Sequence, residues 1–87
     1  MALRLRPGVV MQAVGAELVL LDTEAGIYFD LNPTGSILLS AWVDGADDAT
    51  AVARVKARYA IAIEQVATDA AALKAELLRR RLIEHRP

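Results

Sequence analysis

The sequence predicts an α+β fold in which a three-stranded antiparallel sheet is followed by three helices. The first 31 residues contain three short apolar runs separated by turns that carry glycine, a pattern typical of a β-meander. From Pro33 onward, apolar residues recur at the spacing of three and four that places them on one face of a helix. A sheet followed by helices allows both layers to share one core, which is the basis of the α+β assignment.

The expected strands are residues 9–14, 17–21 and 27–31. The first is rich in β-branched residues and is bounded by Pro7-Gly8 and Gly15, a composition that favours a strand. Between the second and third strands, the sequence Asp22-Thr23-Glu24-Ala25-Gly26 suits a type I turn that closes on a left-handed residue. The third strand should therefore return antiparallel to the second.

Three helices are expected after the sheet, in an order that resembles a winged helix-turn-helix. Asn32 can cap the first helix, because its side chain accepts a hydrogen bond from a free amide while Pro33 takes the first helical position. The expected bounds are Pro33 to Asp44-Gly45, Asp47-Asp48 to about Ala60, and Ile63 to Arg80. The residues expected to face the core are Ile37, Leu38, Ala41 and Trp42, then Val52, Val55 and Tyr59, then Ile63, Val66, Ala70, Leu73 and Leu77. Leu82-Ile83 should pack back onto this core.

Composition narrows the possible functions. A chain of 87 residues with 55% hydrophobic and 24% charged side chains can build one small core, so we expect a single domain over residues 1–87. The net charge of −1 gives no field that would attract nucleic acid or an anionic membrane. Cysteine is absent, and no apolar run approaches the roughly 20 residues that span a bilayer. We expect a cytoplasmic protein whose partner is neither nucleic acid nor membrane.

The sequence shows no catalytic or metal-binding motif. The single histidine, His85, lies two residues from the end of the chain, with no serine or cysteine placed to form a triad with it. The acidic residues fall at turns and helix starts, where capping explains them, and no glycine-rich phosphate loop is present. We therefore expect no enzyme activity, no catalytic or metal site and no cofactor.

The third expected strand has an edge that needs an explanation. Ile27-Tyr28-Phe29-Asp30-Leu31 contains no lysine and no proline, which are residues that commonly protect an edge strand. Unless the first strand covers this edge, its free N–H and C=O groups can receive a strand from a partner. Ordering about eight partner residues costs roughly 8 to 16 kcal/mol, whereas five backbone hydrogen bonds return about 5 kcal/mol. Pockets for one aromatic and one or two aliphatic or proline side chains must supply the difference.

The run from Leu21 to Gly35, LDTEAGIYFDLNPTG, resembles the PqqD-like family. The resemblance extends over nearly the whole chain through Trp42, Asp44-Gly45, Tyr59, Leu73, Leu77 and Leu82-Ile83. Arg81 departs from it, because the family often has glycine before the Leu-Ile pair. Members of this family are recognition elements for ribosomally made precursor peptides, so the resemblance implies a non-catalytic adaptor that binds the leader segment of such a peptide and delivers it to maturation enzymes.

Within the family, a free-standing chain of this size is most similar to the leader-binding half of the split lasso-peptide B protein. The implied partners are the leader, a leader peptidase of the transglutaminase-like cysteine protease type, and the cyclase. The nearest alternative is the peptide chaperone of pyrroloquinoline quinone biosynthesis. The resemblance implies that the leader adds as a strand beside the third strand and against the third helix. The implied contact residues are Ile27, Tyr28, Phe29, Asp30 and Leu31 on the strand and Asp69, Leu73, Glu76, Leu77 and Arg80 on the helix.

Two other functions remain open from the residues themselves. The three helices and the basic run Arg79-Arg80-Arg81 are compatible with a winged-helix DNA-binding protein, although Glu64, Asp69 and Glu76 make the third helix a poor surface for phosphates. A structural subunit that covers the exposed strand by self-association is the third possibility. Salt-dependent binding to duplex DNA would favour the DNA-binding protein. A stable dimer without peptide would favour the structural subunit.

Overall fold

The computed structural model describes residues 3–86, which form five strands and three helices. The strands are β1 (Leu3–Leu5), β2 (Val9–Val14), β3 (Glu17–Asp22), β4 (Ile27–Leu31) and β5 (Ile83–His85). The helices are α1 (Pro33–Val43), α2 (Asp48–Lys56) and α3 (Ile63–Arg79). The predicted α+β order of a three-stranded sheet followed by three helices is confirmed.

The main sheet is an antiparallel meander in the order β2-β3-β4. Its register pairs Leu20 with Phe29 and Leu18 with Leu31, so these side chains share the face that is turned toward the core. The predicted turn between β3 and β4 closes on Gly26, which has a φ of 70°. The Asp22 carboxylate accepts hydrogen bonds from the amides of Glu24 and Ala25, at 3.0 and 3.1 Å, and so fixes this turn.

A second, two-stranded sheet was not anticipated from the sequence. Strands β1 and β5 pair antiparallel, with Leu5 opposite Ile83, and bring the two ends of the described chain together. Arg6 joins this sheet to the turn between β3 and β4, because its guanidinium donates to Asp22 at 2.9 Å and to Glu24 at 3.1 Å. Each strand has only three residues, which is too short for alternation to reveal it in the sequence.

One aliphatic core lies between the sheets and the helices. Its largest fully buried side chains are Trp42, Leu3, Leu20, Leu39, Leu77 and Val55. Leu82 and Ile83 are also buried, which confirms that the end of the chain packs back onto the core.

Two details of the predicted helices were wrong. Helix α2 ends at Lys56 rather than near Ala60, because the amides of Arg58 and Tyr59 both donate hydrogen bonds to the Val55 carbonyl. Ile63 was expected in the core but is 55% exposed. The alanines of α2 and α3 that surround it are too short to cover it.

A polar contact joins all three helices around Trp42. The Trp42 indole N–H donates to Asp48 Oδ1 at 2.9 Å, and the Lys74 ammonium binds the same carboxylate oxygen while lying 4.9 Å from the centroid of the indole ring. The pKa of Asp48 is lowered, first because Lys74 donates a hydrogen bond to its carboxylate and further because of the Lys74 charge and the Trp42 indole. The charged form of Asp48 therefore stabilises the packing of the helices.

We expect the contribution of Asp48 to stability to depend on pH. Because its pKa in the folded protein lies below its ordinary value of 3.8, the contribution is complete above that value and is lost as the pH falls through the folded-state pKa. Asp48→Asn should lower the free energy of unfolding by about 0.5 kcal/mol at pH 7, as is usual for an exposed ion pair. The difference in free energy of unfolding between the variant and the wild type should narrow as the pH falls below 3.8, as measured by urea titrations followed by Trp42 fluorescence.

Lys74→Met provides the control for this pH dependence. In that background the carboxylate has no ammonium partner, so Asp48→Asn should have little further effect at pH 7. If the free energies of unfolding of the wild type and Asp48→Asn differed equally at pH 7 and pH 2, the stabilising role of the charged Asp48 would be contradicted.

Helix α3 ends in a Schellman motif that places Arg81 in the left-handed region, with a φ of 59°. The amide of Leu82 donates to the Leu77 carbonyl and that of Arg81 to the Leu78 carbonyl, both at 3.0 Å. Glycine normally takes this position because a Cβ is disfavoured there. Arg81, the departure noted in the sequence analysis, therefore has a backbone conformation that glycine adopts without strain.

We expect Arg81→Gly to raise the free energy of unfolding by about 0.5 to 1 kcal/mol, because it removes a strained Cβ and leaves the backbone hydrogen bonds intact. Arg81→Ala is the matched control, since it removes the same side chain but keeps the Cβ. Chemical denaturation should give Arg81→Gly a higher free energy of unfolding than both the wild type and Arg81→Ala. A glycine variant no more stable than the alanine variant would contradict the prediction.

Candidate functional site

Strand β4 lies at one edge of the main sheet and pairs only with β3 among the described residues. Strand β2, which could have covered β4, lies on the far side of β3. The free edge of β4 contains neither lysine nor proline. Its outward N–H and C=O groups are therefore available to a partner strand.

The chain stops extending at Asn32, which begins helix α1. Asn32 has extended backbone angles, and its Oδ1 accepts hydrogen bonds from Gly35 N at 2.8 Å and from the Thr34 hydroxyl at 3.1 Å. The buried Ser36 hydroxyl donates to the Asn32 carbonyl at 2.9 Å and accepts from Leu18 N at 2.8 Å. The start of α1 is thus fixed to β3, and this fixes where the free edge of β4 ends.

A groove lies between the end of β4, the start of α1 and one face of α3; we call it the β4–α3 groove. Its volume is about 210 Å³. Its lining residues are Phe29, Asp30, Leu31, Asn32, Thr34, Gly35, Leu38, Asp69 and Leu73. An apolar floor with polar groups at its rim suits a mixed peptide better than a wholly charged ligand.

Gly35 allows the two walls of this groove to approach closely. A Cβ at this position would lie 3.1 Å from Asn32 Oδ1 and 3.3 Å from Leu73 Cδ2, both tighter than ordinary contacts. The sequence interpretation did not assign Gly35, Asn32, Thr34 or Leu38 to the site. The signal for Asn32, Thr34 and Gly35 lies in the Asn32-Pro33-Thr34-Gly35 cap, which the sequence interpretation assigns to the start of a helix and to the family resemblance but not to peptide contact.

The side chains of β4 divide between two environments. Leu31 is buried and Phe29 half-buried on the core face, whereas Ile27, on the same face near the turn, is 56% exposed. Tyr28 and Asp30 point to the opposite, outer face of the sheet and are exposed. The strand can therefore meet a partner through its backbone edge, through Phe29 in the groove, and through Tyr28 outside it.

Charged side chains of α3 lie beside Phe29. The Arg80 guanidinium is 5.1 Å from the centroid of the Phe29 ring, a distance typical of a cation–π contact. Glu76 pairs with both Arg79 and Arg80. The hydrogen bonds from Arg79 and then Arg80 hold the pKa of Glu76 below its ordinary value.

The structure brings together most of the residues that the sequence interpretation assigned to the site. Phe29, Asp30, Leu31, Asp69 and Leu73 line the β4–α3 groove. Glu76 and Arg80 continue its α3 wall past Phe29. Leu77 is fully buried and supports this wall from behind, while Ile27 and Tyr28 lie outside the groove.

The outer face of the main sheet carries an exposed apolar row that the sequence interpretation missed. Val10, Leu21 and Tyr28 are aligned across β2, β3 and β4, and Val10 and Tyr28 are 50% and 68% exposed. The alternation within each strand could have revealed this row, because Val10 and Leu21 break the polar pattern expected on a solvated face. The same outer face carries the acidic side chains of Glu17 and Asp30, and strands β2, β3 and β4 contain no lysine or arginine.

Metal and membrane sites find no support in the described part of the chain. Residues 3–86 contain no cluster of three or more His, Cys, Asp or Glu side chains suited to a metal ion. None of the helices over the same residues is long and apolar enough to cross a bilayer.

Comparison with known proteins agrees with this arrangement. The chain is similar to a solved structure described as lasso peptide synthetase B1 complexed with the leader peptide, with a TM-score of 0.87 and 26% identity over 98% of this chain and 100% of that one. It is also similar to TbiB1 in complex with the TbiA(beta) leader peptide, with a TM-score of 0.83 and 26% identity over 97% and 98% of the two chains. A search of curated protein sequences gave no match. Residues 17–83 match the family model of coenzyme PQQ synthesis protein D (PqqD), and the chain belongs to this family.

Proposed function

We propose that this protein is an adaptor that binds the leader segment of a ribosomally synthesised precursor peptide. The leader would add as a strand to the free edge of β4 and place side chains in the β4–α3 groove. The observation that carries the proposal is that an unprotected strand edge and an apolar-floored groove lie side by side. Both similar structures contain a leader peptide, which supports the same assignment.

Binding of this kind requires both the edge and the groove. About five backbone hydrogen bonds contribute about 5 kcal/mol, which is less than the roughly 8 to 16 kcal/mol needed to order eight residues. Each large apolar side chain that becomes buried contributes about 1.5 to 3 kcal/mol. Leu31, Leu38 and Leu73 supply the apolar surface for such side chains. The edge would then set the direction of the leader, and the groove most of its affinity.

The proposed contacts follow from where each side chain lies. Phe29, Leu31, Asp69 and Leu73 would contact the leader at the groove, Asp30 from the outer face of the sheet, and Glu76 and Arg80 farther along α3. Ile27 and Tyr28 would contribute mainly through their backbone edge. Leu77 would act through packing, because it is fully buried.

We also propose that the protein itself is non-catalytic and delivers the leader in the cytoplasm to a transglutaminase-like leader peptidase and then to a cyclase. The Val10–Leu21–Tyr28 row offers a docking surface for the peptidase, because it is apolar and adjoins the edge where the leader would lie. Glu17 and Asp30 on the same face favour a peptidase surface that carries lysine or arginine.

The similar structures favour a lasso peptide as the product. One of them is described as a lasso peptide synthetase B1, and both align over nearly the full length of the chain. The family description instead refers to coenzyme PQQ synthesis, so a peptide chaperone of that pathway is the alternative. Genes for a short precursor, a transglutaminase-like protease and an asparagine-synthetase-like cyclase beside this gene would favour the lasso assignment. Genes for quinone synthesis would favour the alternative.

DNA binding has less support. Arg79 and Arg80 are both engaged by Glu76, and the same helix presents Asp69 toward the groove. These carboxylates would oppose a phosphate backbone.

The proposed function is tested by fluorescence anisotropy with a labelled leader peptide taken from the precursor gene that neighbours this gene. We expect saturable binding below tens of micromolar for the wild type. Leu73→Glu should weaken binding about tenfold or more, because it places a carboxylate among the apolar side chains of the groove.

Ile63→Glu is the matched control, since it makes the same change at an exposed position near the start of α3 and outside the groove. It should leave the affinity within about twofold of wild type. Absence of saturable binding to the wild type, or equal losses in both variants, would contradict the proposed function.

A further inference from the structure

The β4–α3 groove is negatively charged at the end near Asn32. Asp69 lies in its α3 wall, and its carboxylate accepts a hydrogen bond from the neutral Gln65 side chain at 2.8 Å. Asp30 lies on the other side of the β4 edge, on the outer face. Within residues 3–86, neither carboxylate has a lysine or arginine partner within 4.0 Å. A strand added to β4 at this end would pass between two uncompensated negative charges.

The opposite end of the site is positively charged. Glu76 is shared by the guanidinium groups of Arg79 and Arg80, so these three side chains retain one positive charge. Arg80 is held over Phe29 and is 49% exposed, which leaves part of its guanidinium open to a ligand.

The distance between the two charged ends can be expressed in residues of an extended peptide. The Arg80 guanidinium lies beside Glu76, which follows Asp69 by seven helical residues, or about 10 Å. Along β4, Phe29 and Asn32 are three residues apart, again about 10 Å. Because side chains of a strand return to the same face every second residue, two side chains that both face the groove would be two or four residues apart.

We propose, resting on the function proposed above, that the recognised peptide carries a basic side chain opposite Asp69 and an acidic side chain opposite Arg80. Both side chains face the groove and are separated by two or four residues. The pattern selects the register of the peptide, since backbone pairing to an edge strand is nearly equal in neighbouring registers. The apolar floor supplies affinity, and the two charged ends exclude peptides in which the basic and acidic residues are exchanged.

A display library of random extended peptides tests this pattern without knowledge of the natural leader. Peptides selected on the wild type should be enriched in lysine or arginine at one position and in aspartate or glutamate two or four residues away. Selection on Asp69→Lys should reverse the sign at the first position only. Selection on Arg80→Glu should reverse the sign at the second position only.

A peptide selected on the wild type then gives a quantitative test. Asp69→Lys should weaken its binding about three- to tenfold at low salt, and exchanging the basic residue of the peptide for glutamate should restore it. The loss should shrink at high ionic strength. Glu64→Lys is the control: it makes the same charge change on α3 at a residue that does not line the groove, and binding should be unchanged.

The outcomes separate this inference from the proposed function. Saturable binding that Leu73→Glu weakens, but without a charge preference or without reversal in the two variants, would overturn the charge pattern and leave the adaptor function standing. Failure of the wild type to bind any peptide, including the leader encoded beside its gene, would overturn both.

Discussion

The arrangement of the site depends on the Asn32 cap, the single residue between strand β4 and helix α1. Its carboxamide oxygen accepts a hydrogen bond from the Gly35 amide in the first turn of α1, and its carbonyl accepts one from the Ser36 hydroxyl, which in turn accepts one from the Leu18 amide of β3. The helix start is therefore bonded to the strand next to β4. Because the chain leaves the sheet at Asn32, the free edge of β4 ends there, beside the start of α1 that lines the groove. Loss of the cap would therefore displace the start of α1 and the end of β4 together.

The sequence determines the sheet and the helix starts because their signals are local. The turn from Asp22 to Gly26 and the Asn32-Pro33 cap specify backbone conformation within a few residues, and both were predicted in place. The β1–β5 sheet was not predictable in the same way, because it joins residues 80 positions apart, such as Arg4 and Glu84. The exposure of Ile63 also depends on tertiary packing, which helical spacing does not contain.

The site was predictable only in part, and for a related reason. Strand alternation and helix spacing identify which residues share a face, so Phe29, Leu31, Asp69 and Leu73 could be brought together through the family resemblance. Neither pattern tells how closely two elements approach. Gly35 decides that approach, because a Cβ would contact both Asn32 and Leu73, and its role is visible only when the two walls are in place. Leu77 has the same helical spacing but is fully buried, which spacing alone does not reveal.

The central claim is that β4 gains a neighbour when a leader peptide binds. Hydrogen–deuterium exchange of the backbone amides, with and without saturating leader peptide, tests this most directly because it reports hydrogen bonding segment by segment. We expect slowed exchange across Ile27–Leu31, with no comparable change at Val9–Val14, the opposite edge of the same sheet. Slowed exchange confined to the β2 edge, or unchanged exchange in β4 at saturation, would contradict the account.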